Sequence, residues 1–311
     1  MNHSAIWGIT AYFNPEHYRR RRENFRVFRD RLGIPLLAVE LSFDGRFELE
    51  DGDADLLLRL EDGDVLWQKE RLINAGLRQL PAGCTAVACI DCDIIFGRDD
   101  WPQHALEMMA KFPVAQPFSR VHHLPAGWSP AADPTVQNGL AQSSVAFAMS
   151  HRGEDASPLG MLTQRRPGAA SAGFAWVLRR DVLETHGLFD GCIAGGGDTA
   201  LACAAWGDPD AVIGMHQMNA HQENYYRGWA QPFNNTVRSR VGCLEGTLFH
   251  LWHGELSNRQ SGDRHSAMRP FGFDPMRDLS PAAGGSWRWN SDKPQLHAYM
   301  REYFAARKED G

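Results

Sequence analysis

The segment ACIDCDIIF, residues 88–96, contains two overlapping pairs of groups that could do chemistry. Cys89 and Cys92 have the spacing of redox and zinc sites, and Asp91 and Asp93 have the spacing of metal–nucleotide sites. The apolar run around them predicts a strand, in which residues two apart share a face and residues three apart do not. The thiols would then diverge and serve as small apolar fillers. The carboxylates would share a face near the carboxyl end of the strand, the edge at which open parallel sheets bind ligands. Two acids there repel unless a cation neutralises them. Oxygen ligands suit Mg2+ or Mn2+, and such an ion suits a diphosphate. On spacing alone, Asp91 and Asp93 serve equally well as turn residues closing a strand.

The C-terminal half offers further ligands. GTLFHLWHGELSNRQSGDRH places His250 and His253 among aromatics, followed by Asn258, Arg259, Arg264 and His265. Imidazole suits manganese-type ions, arginine forks match phosphate oxygens, and Trp252 offers an apolar wall for a sugar or base. If this segment is a strand, His250 and His253 cannot share a face, and His250 is the preferred ligand. In GLFDGCIAGGGDTALACAAWG, the run Gly195–Gly197 permits a sharp turn and close backbone approach to a ligand. Asp198 then stands at or just before a helix start. It is either the N-cap or a base taking a proton from a hydroxyl acceptor.

The elements that must position these groups alternate. Strands are expected at 5–13, 34–43, 54–60, 84–96 and 112–121, with helices at 15–32, 65–83 and 102–111 between them. Repeated strand–helix–strand with short connections predicts a mostly parallel α/β sheet covered on both faces. From 125 to 172 the pattern is lost, with an exposed Arg165–Gly168 loop, and this stretch is the candidate acceptor loop or donor lid. Trp128, His122 and His123 there could stack on a sugar or be ordinary surface residues. A strand and helix follow at 171–190, a helix at 199–207, a short strand at 209–215, and a C-terminal helix that frays into charge.

Composition limits the partners. Over 311 residues, 43% hydrophobic and 23% charged, the chain is of ordinary globular type. A net charge of -6 leaves no broad basic face for nucleic acid. Arg19–Arg22 reads as the solvated face of a helix, with an anionic ligand or membrane surface as the alternative. No secretory pattern, spanning run or disulfide framework is visible, so the expected setting is a soluble protein of a reducing compartment, the cytoplasm.

Taken in order, the Asp-x-Asp, the segment SAGFAWVLRRDVLETHGLFDGCIAGGGDTAL and the histidine cluster resemble GT-A-fold nucleotide-sugar glycosyltransferases, more narrowly the family-2-like and galactosyltransferase-like members. Arg180, Gly187, Phe189, Asp190 and the glycines before Asp198 stand in the places of the family's pattern, and the resemblance spans about residues 5–265. It implies a GT-A-like (Rossmann-like) fold, read as one domain. That domain has a nucleotide-binding half (1–124), a loop region (125–172), an acceptor and metal-completing half (173–265) and a C-terminal extension (266–311) closing the site. It implies metal-dependent transfer of a hexose from a nucleotide sugar, UDP-linked by preference, to a glycan or other hydroxyl acceptor, with inversion and Asp198 as base. Asp93 would hold Mn2+ or Mg2+. Asp91 would bind ribose or help hold the metal, and His250 or His253 would complete the shell. Thr10, Tyr12, Asn14 and Glu40 would hold the nucleoside, with Arg259 and Arg264 on the phosphates. One departure is Gly197, where relatives usually carry the first acid of Gly-Gly-Glu-Asp. It leaves room for a binding protein that has lost catalysis. A nucleotidyltransferase would need a Gly-rich basic loop where TAYFNPEHY stands, and a metal hydrolase would need close helical His/Glu spacing.

Overall fold

In the computed structural model, which describes residues 4–136, 140–151, 160, 162, 170–260 and 262–311, the first apolar run forms β1 (Ile6–Phe13), buried throughout. Its alternate residues divide between two cores. Trp7, Ile9, Ala11 and Phe13 enter one, and Ile6 and Tyr12 enter the other. Such a strand needs cover on both faces. Helix α1 (Arg19–Arg31) covers one with Phe25 and Phe28, each worth about 1.5–3 kcal/mol of apolar burial. Helix α2 (Lys69–Gly76) covers the other with Leu72 and Ile73.

Strands β2 (Leu36–Leu41), β3 (Leu56–Leu60) and β4 (Ala86–Ile90) join β1 in parallel. With β6 (Val114–Gln116), β9 (Ala175–Arg179) and β10 (Val241–Cys243) they make a seven-stranded sheet ordered β10-β6-β9-β4-β1-β2-β3, in which only β9 runs antiparallel to its neighbours. The fold is therefore the mixed α/β architecture, mostly parallel and flanked by helices, that the sequence pattern predicts.

Two expected strands prove to be two each. The run 84–96 breaks after β4 at Asp91–Asp93, and β5 (Ile94–Phe96) enters a second sheet of four strands ordered β5-β11-β7-β8. The run 112–121 likewise splits around Pro117 into β6 and β7 (Arg120–His123). Proline donates no ladder hydrogen bond, so the chain changes sheets there. Strand β8 (Ala141–Ser143) and helix α3 (Val145–Ser150), capped by Ser144, lie inside the stretch expected to lack order. The Arg165–Gly168 loop lies outside the described residues.

Beyond β9 come α4 (Arg180–His186), α5 (Gly197–Ala205), α6 (Pro209–Met215) and α7 (Ala220–Val237). The segment 209–215, expected as a strand, is helical because the Asp208 carboxylate accepts from Ala211 N–H and Pro209 presets the first turn. Strand β11 (Thr247–His250) pairs with β5 and β7, and α8 (Pro294–Ala305) is followed by a packed tail rather than a frayed one. Arg307 and Glu309 of that tail are buried. Among the described residues no helix is long and apolar enough to cross a membrane.

Candidate active site

The break after β4 creates the site. Asp91 N–H donates to Phe174 O at 2.8 Å, and Leu251 N–H donates to Asp93 O at 2.8 Å, tying the turn to the end of β11. Asp93 thereby faces two histidines. His253 Nε2 lies 3.1 Å from Asp93 Oδ2, His250 Nε2 lies 3.8 Å from Asp93 Oδ1, and the two Nε2 atoms are 3.2 Å apart. Strand geometry does not keep the histidines apart, because β11 ends at His250 and His253 follows in an irregular turn. One oxygen or nitrogen from each of the three residues falls within a 4.8 Å cluster.

The donor set fits a divalent cation on its own evidence. Asp93 Oδ1 is buried with no hydrogen-bond partner, an arrangement that is costly unless something fills the remaining lone pairs. Burial opposes the Asp93 charge, yet His253, His250 and Arg259 hold its carboxyl below the usual range. Burial also pushes His250 well below the ordinary imidazole value, with Asp93 pulling the other way, so the ring is a neutral nitrogen donor at pH 7. His123, on the neighbouring strand, brings Nδ1 to 3.1 Å from His250 Nδ1, and Phe174 packs its ring 5.1 Å from that of His250. Phe174 holds φ at +83°, an uncommon conformation for a bulky side chain and one found where function imposes it.

Asp91 goes elsewhere. Its Oδ1 lies 2.6 Å from Lys69 Nζ, and the same ammonium lies 2.7 Å from Asp198 Oδ2. Burial pushes the Asp91 carboxyl up to about 6, opposed by Lys69 and reinforced by Asp198. Burial works against the Lys69 charge, but Asp198, Asp91 and Glu70 keep it strongly protonated. Sequence reading missed Lys69, whose only signal is its place at the start of α2. Asp198 is not the N-cap of α5; Gly196 is, with φ at +97°, which leaves the Asp198 side chain free of capping. The loop before Asp198 is clamped to α2: Trp67 N–H donates to Ile193 O, Asn74 bonds both N–H and O of Leu188, and Arg71 pairs with Asp190 at 3.2 Å. Arg180 donates to the carbonyls of Pro81, Cys84 and Leu80, which is a scaffold role.

Gly197 admits no side chain because a Cβ there would overlap the Glu70 carboxyl. Glu70 is buried and pushed up to about 8 by that burial, with Lys69 opposing and Asp198 adding to the rise.

The Asp93, His250 and His253 cluster lies in a hollow of about 140 Å³ lined also by Ala11, Phe13, Trp67 and the basic side chains of Arg21, Lys69, Arg259, Arg264 and Arg307. Arg21 is thus no solvated residue; it is half-buried against Phe13 and paired with Glu309 at 3.1 Å. Lys69 and Arg307 also have carboxylate partners. Arg259 and Arg264 have none within 4.0 Å among the described residues: Arg259 Nη2 bonds His253 Nε2 at 2.9 Å, and Arg264 donates to Tyr303 Oη and to His265. Burial, helped by Arg307, brings the Arg259 guanidinium down to about 10, which still leaves it charged at pH 7. An adjoining cleft of about 710 Å³ shares Trp67, Lys69, Asp91 and Arg264, and adds Asp198, Thr199, Gln142, His216 and His265.

The other expected residues lie apart from this hollow. Thr10 is buried and donates to Ile90 O at 2.7 Å. Tyr12, Asn14 and Glu40 line a separate pocket of about 220 Å³, where Tyr12 and Asn14 bond Glu48 and Glu40 accepts from the Glu48 and Leu49 N–H groups. Trp252 packs under Arg20 and Trp128 under Arg31, both on the outer side of α1. Cys89 and Cys92 enter different cores, as free buried thiols.

His216 and His265 stack at 3.8 Å beside Gly196. Burial, with Arg264 nearby, pushes His216 down from 6.5 to about 3, and burial and His216 push His265 down as well. The unfolded chain therefore takes up protons below pH 6.5 that the folded state refuses. Stability is full above that pH and declines as the pH falls toward 3, by about 2 kcal/mol at pH 5 for His216. The melting temperature of wild type is expected to drop more between pH 7 and pH 5 than that of His216→Gln; parallel curves would remove His216 from the account.

No family model matches the chain, and no curated protein matches it. Solved structures that align with it include the catalytic domain of Drosophila β1,4-galactosyltransferase 7 in complex with xylobiose, at 12% identity and a TM-score of 0.30, over 64% of this chain and 59% of that one. The chain thus spans little more than half of that structure. Others are glucosyl-3-phosphoglycerate synthase from Mycobacterium tuberculosis with Mn2+, uridine diphosphate and phosphoglyceric acid (10% identity, TM-score 0.41, 94% and 90% covered) and a mycobacterial protein (12%, 0.42, 94% and 87%). At such values the functional assignment has to come from the site itself.

Proposed function

We propose that this protein is a metal-dependent glycosyltransferase that moves a hexose from a nucleotide sugar, a UDP-sugar by preference, to a hydroxyl acceptor. The observation that carries the reading is the convergence of Asp93, His250 and His253 beside Arg259 and Arg264, which have no carboxylate partner among the described residues, in a hollow that shares Lys69 and Asp91 with the cleft containing Asp198. Asp93, His250 and His253 would hold Mn2+ or Mg2+, which when bound offsets negative charge on a leaving diphosphate. Arg259 and Arg264 present guanidinium donors to the same diphosphate, a task that suits their fork geometry. Ala11, Phe13 and Trp67 offer the apolar wall for the nucleoside, in preference to Thr10, Tyr12, Asn14 and Glu40.

On the acceptor side, Asp198 takes the hydroxyl proton, and the transfer is inverting. Lys69 orients Asp198 against Asp91 and so couples the two halves of the cleft. The missing acid at Gly197 favours catalysis less than a full motif would, but the Glu70 carboxyl fills that space from α2. A thermal-shift series of UDP, GDP and ADP with and without Mn2+ tests the reading. UDP is expected to raise the melting temperature only when Mn2+ is present; no metal-dependent nucleotide effect would sink it.

A further inference from the structure

His253 Nε2 lies within hydrogen-bond distance of Arg259 Nη2, at 2.9 Å. A guanidinium can only donate, so this contact calls for an accepting Nε2 with the ring proton on Nδ1, whereas the Asp93 carboxylate, 3.1 Å from the same Nε2, calls for the opposite tautomer until a cation lies between them. Nδ1 points away from Asp93, toward Glu309 Oε1 at 3.5 Å, and has no hydrogen-bond partner among the described residues. Glu309 is almost fully buried, at 1% exposure, and it is held firmly. Arg21 Nη1 reaches its two oxygens at 3.1 and 3.3 Å, and Arg307 Nε reaches Oε1 at 2.5 Å.

The segment carrying Glu309 is fastened at several points. Asp310 accepts the backbone N–H groups of Arg19 and Arg20, which are unsatisfied donors of the first turn of α1. Tyr18 Oη bonds the carbonyls of Phe304 and Ala305 and accepts from Lys308 N–H. Gly254, at φ +83°, lies so close to Lys308 O that a Cβ would come within 2.8 Å of it.

We propose that Glu309 is a positioning residue of the metal centre: when a cation is bound, its carboxylate takes up the Nδ1–H of His253 and so keeps Nε2 turned toward the cation. This rests on the reading of Asp93, His250 and His253 as metal ligands. Carboxylates behind ligating histidines fix ring orientation and tautomer, and their loss weakens metal affinity by about 10–100-fold.

The test is calorimetric titration of Mn2+ alone into the full chain and its Glu309→Gln, Glu309→Ala and Glu309→Asp variants, with melting temperatures in chelator as the control on folding. The expected result is one Mn2+ per wild-type chain, about 10–100-fold weaker binding for Gln and Ala, and partial recovery with Asp. Equal affinity in all four chains overturns the role of Glu309 and leaves the metal centre standing. A wild-type chain that binds no Mn2+ overturns the metal centre, and the inference with it. If the Gln and Ala chains do not fold, the imidazole nitrogen-15 shifts of wild type loaded with diamagnetic Mg2+ decide. A protonated Nδ1 with a proton-free Nε2 on His253 is expected, and the opposite tautomer overturns the proposal.

Discussion

Asp93→Asn is expected to abolish Mn2+ binding and to lower transfer by about a thousandfold, the kinetic equivalent of about 4 kcal/mol. Asn keeps the shape but removes the negative charge and replaces one carboxylate oxygen with an amide nitrogen that cannot ligate a cation. The loss is concentrated at this residue because Asp93 is the only acid in the described cluster, the other two ligands being neutral-type nitrogens. The matched variant Asp91→Asn separates the two members of the Asp-x-Asp. Asp91 is held by Lys69 rather than by the histidines, so its variant is expected to keep Mn2+ affinity within a fewfold while disturbing the Lys69–Asp198 pair. Equal Mn2+ loss in both would place Asp91 in the metal shell. Unchanged Mn2+ affinity in Asp93→Asn would end the metal-centre reading.

Asp198→Asn is expected to lower kcat for transfer by about 100- to 10,000-fold, the range for removal of a general base, with Mn2+ affinity unchanged. Asp198 lines the larger cleft rather than the hollow of the Asp93 cluster, and Lys69 links it to Asp91. Steady-state kinetics and Mn2+ titration on the same preparation check both halves. A variant keeping more than a tenth of wild-type kcat would remove the base role. A variant that loses Mn2+ affinity would make Asp198 part of the scaffold behind the metal.

The parallel sheet was legible because its strands are uninterrupted apolar runs bounded by glycine, proline and acidic turns, as at Gly33 before β2. The candidate cluster was legible in its residue types, since Asp93, His250 and His253 all reach it. Its geometry was not. A run such as ACIDCDIIF has no internal punctuation, and only pairing with β11 shows that Asp91 and Asp93 sit in the corner between two sheets. Lys69 gave no signal because a lysine at a helix start usually faces water. Arg21 and Glu309 were hidden for a related reason: each lies in a charged run that composition assigns to solvent, yet they pair at 3.1 Å, Glu309 buried and Arg21 half-buried. The helix at 209–215 was misread because its apolar run is short, and length rather than periodicity separates strand from helix there.

The contacts around Glu309 join residues near the two ends of the described chain, Tyr18–Arg21 with Phe304–Asp310. The pairs of the seven-stranded sheet close shorter loops, the longest running from Val114 of β6 to Val241 of β10. The support behind His253 has to wait for α8 and the residues after it, and for closure of the loop from Arg21 to Glu309, a separation of 288 residues. Long-range closure of this kind comes late in folding because its entropy cost precedes its reward. Folding order therefore places competence for the cation after formation of the sheet, so a nascent or partly refolded chain would have the architecture before it has the chemistry.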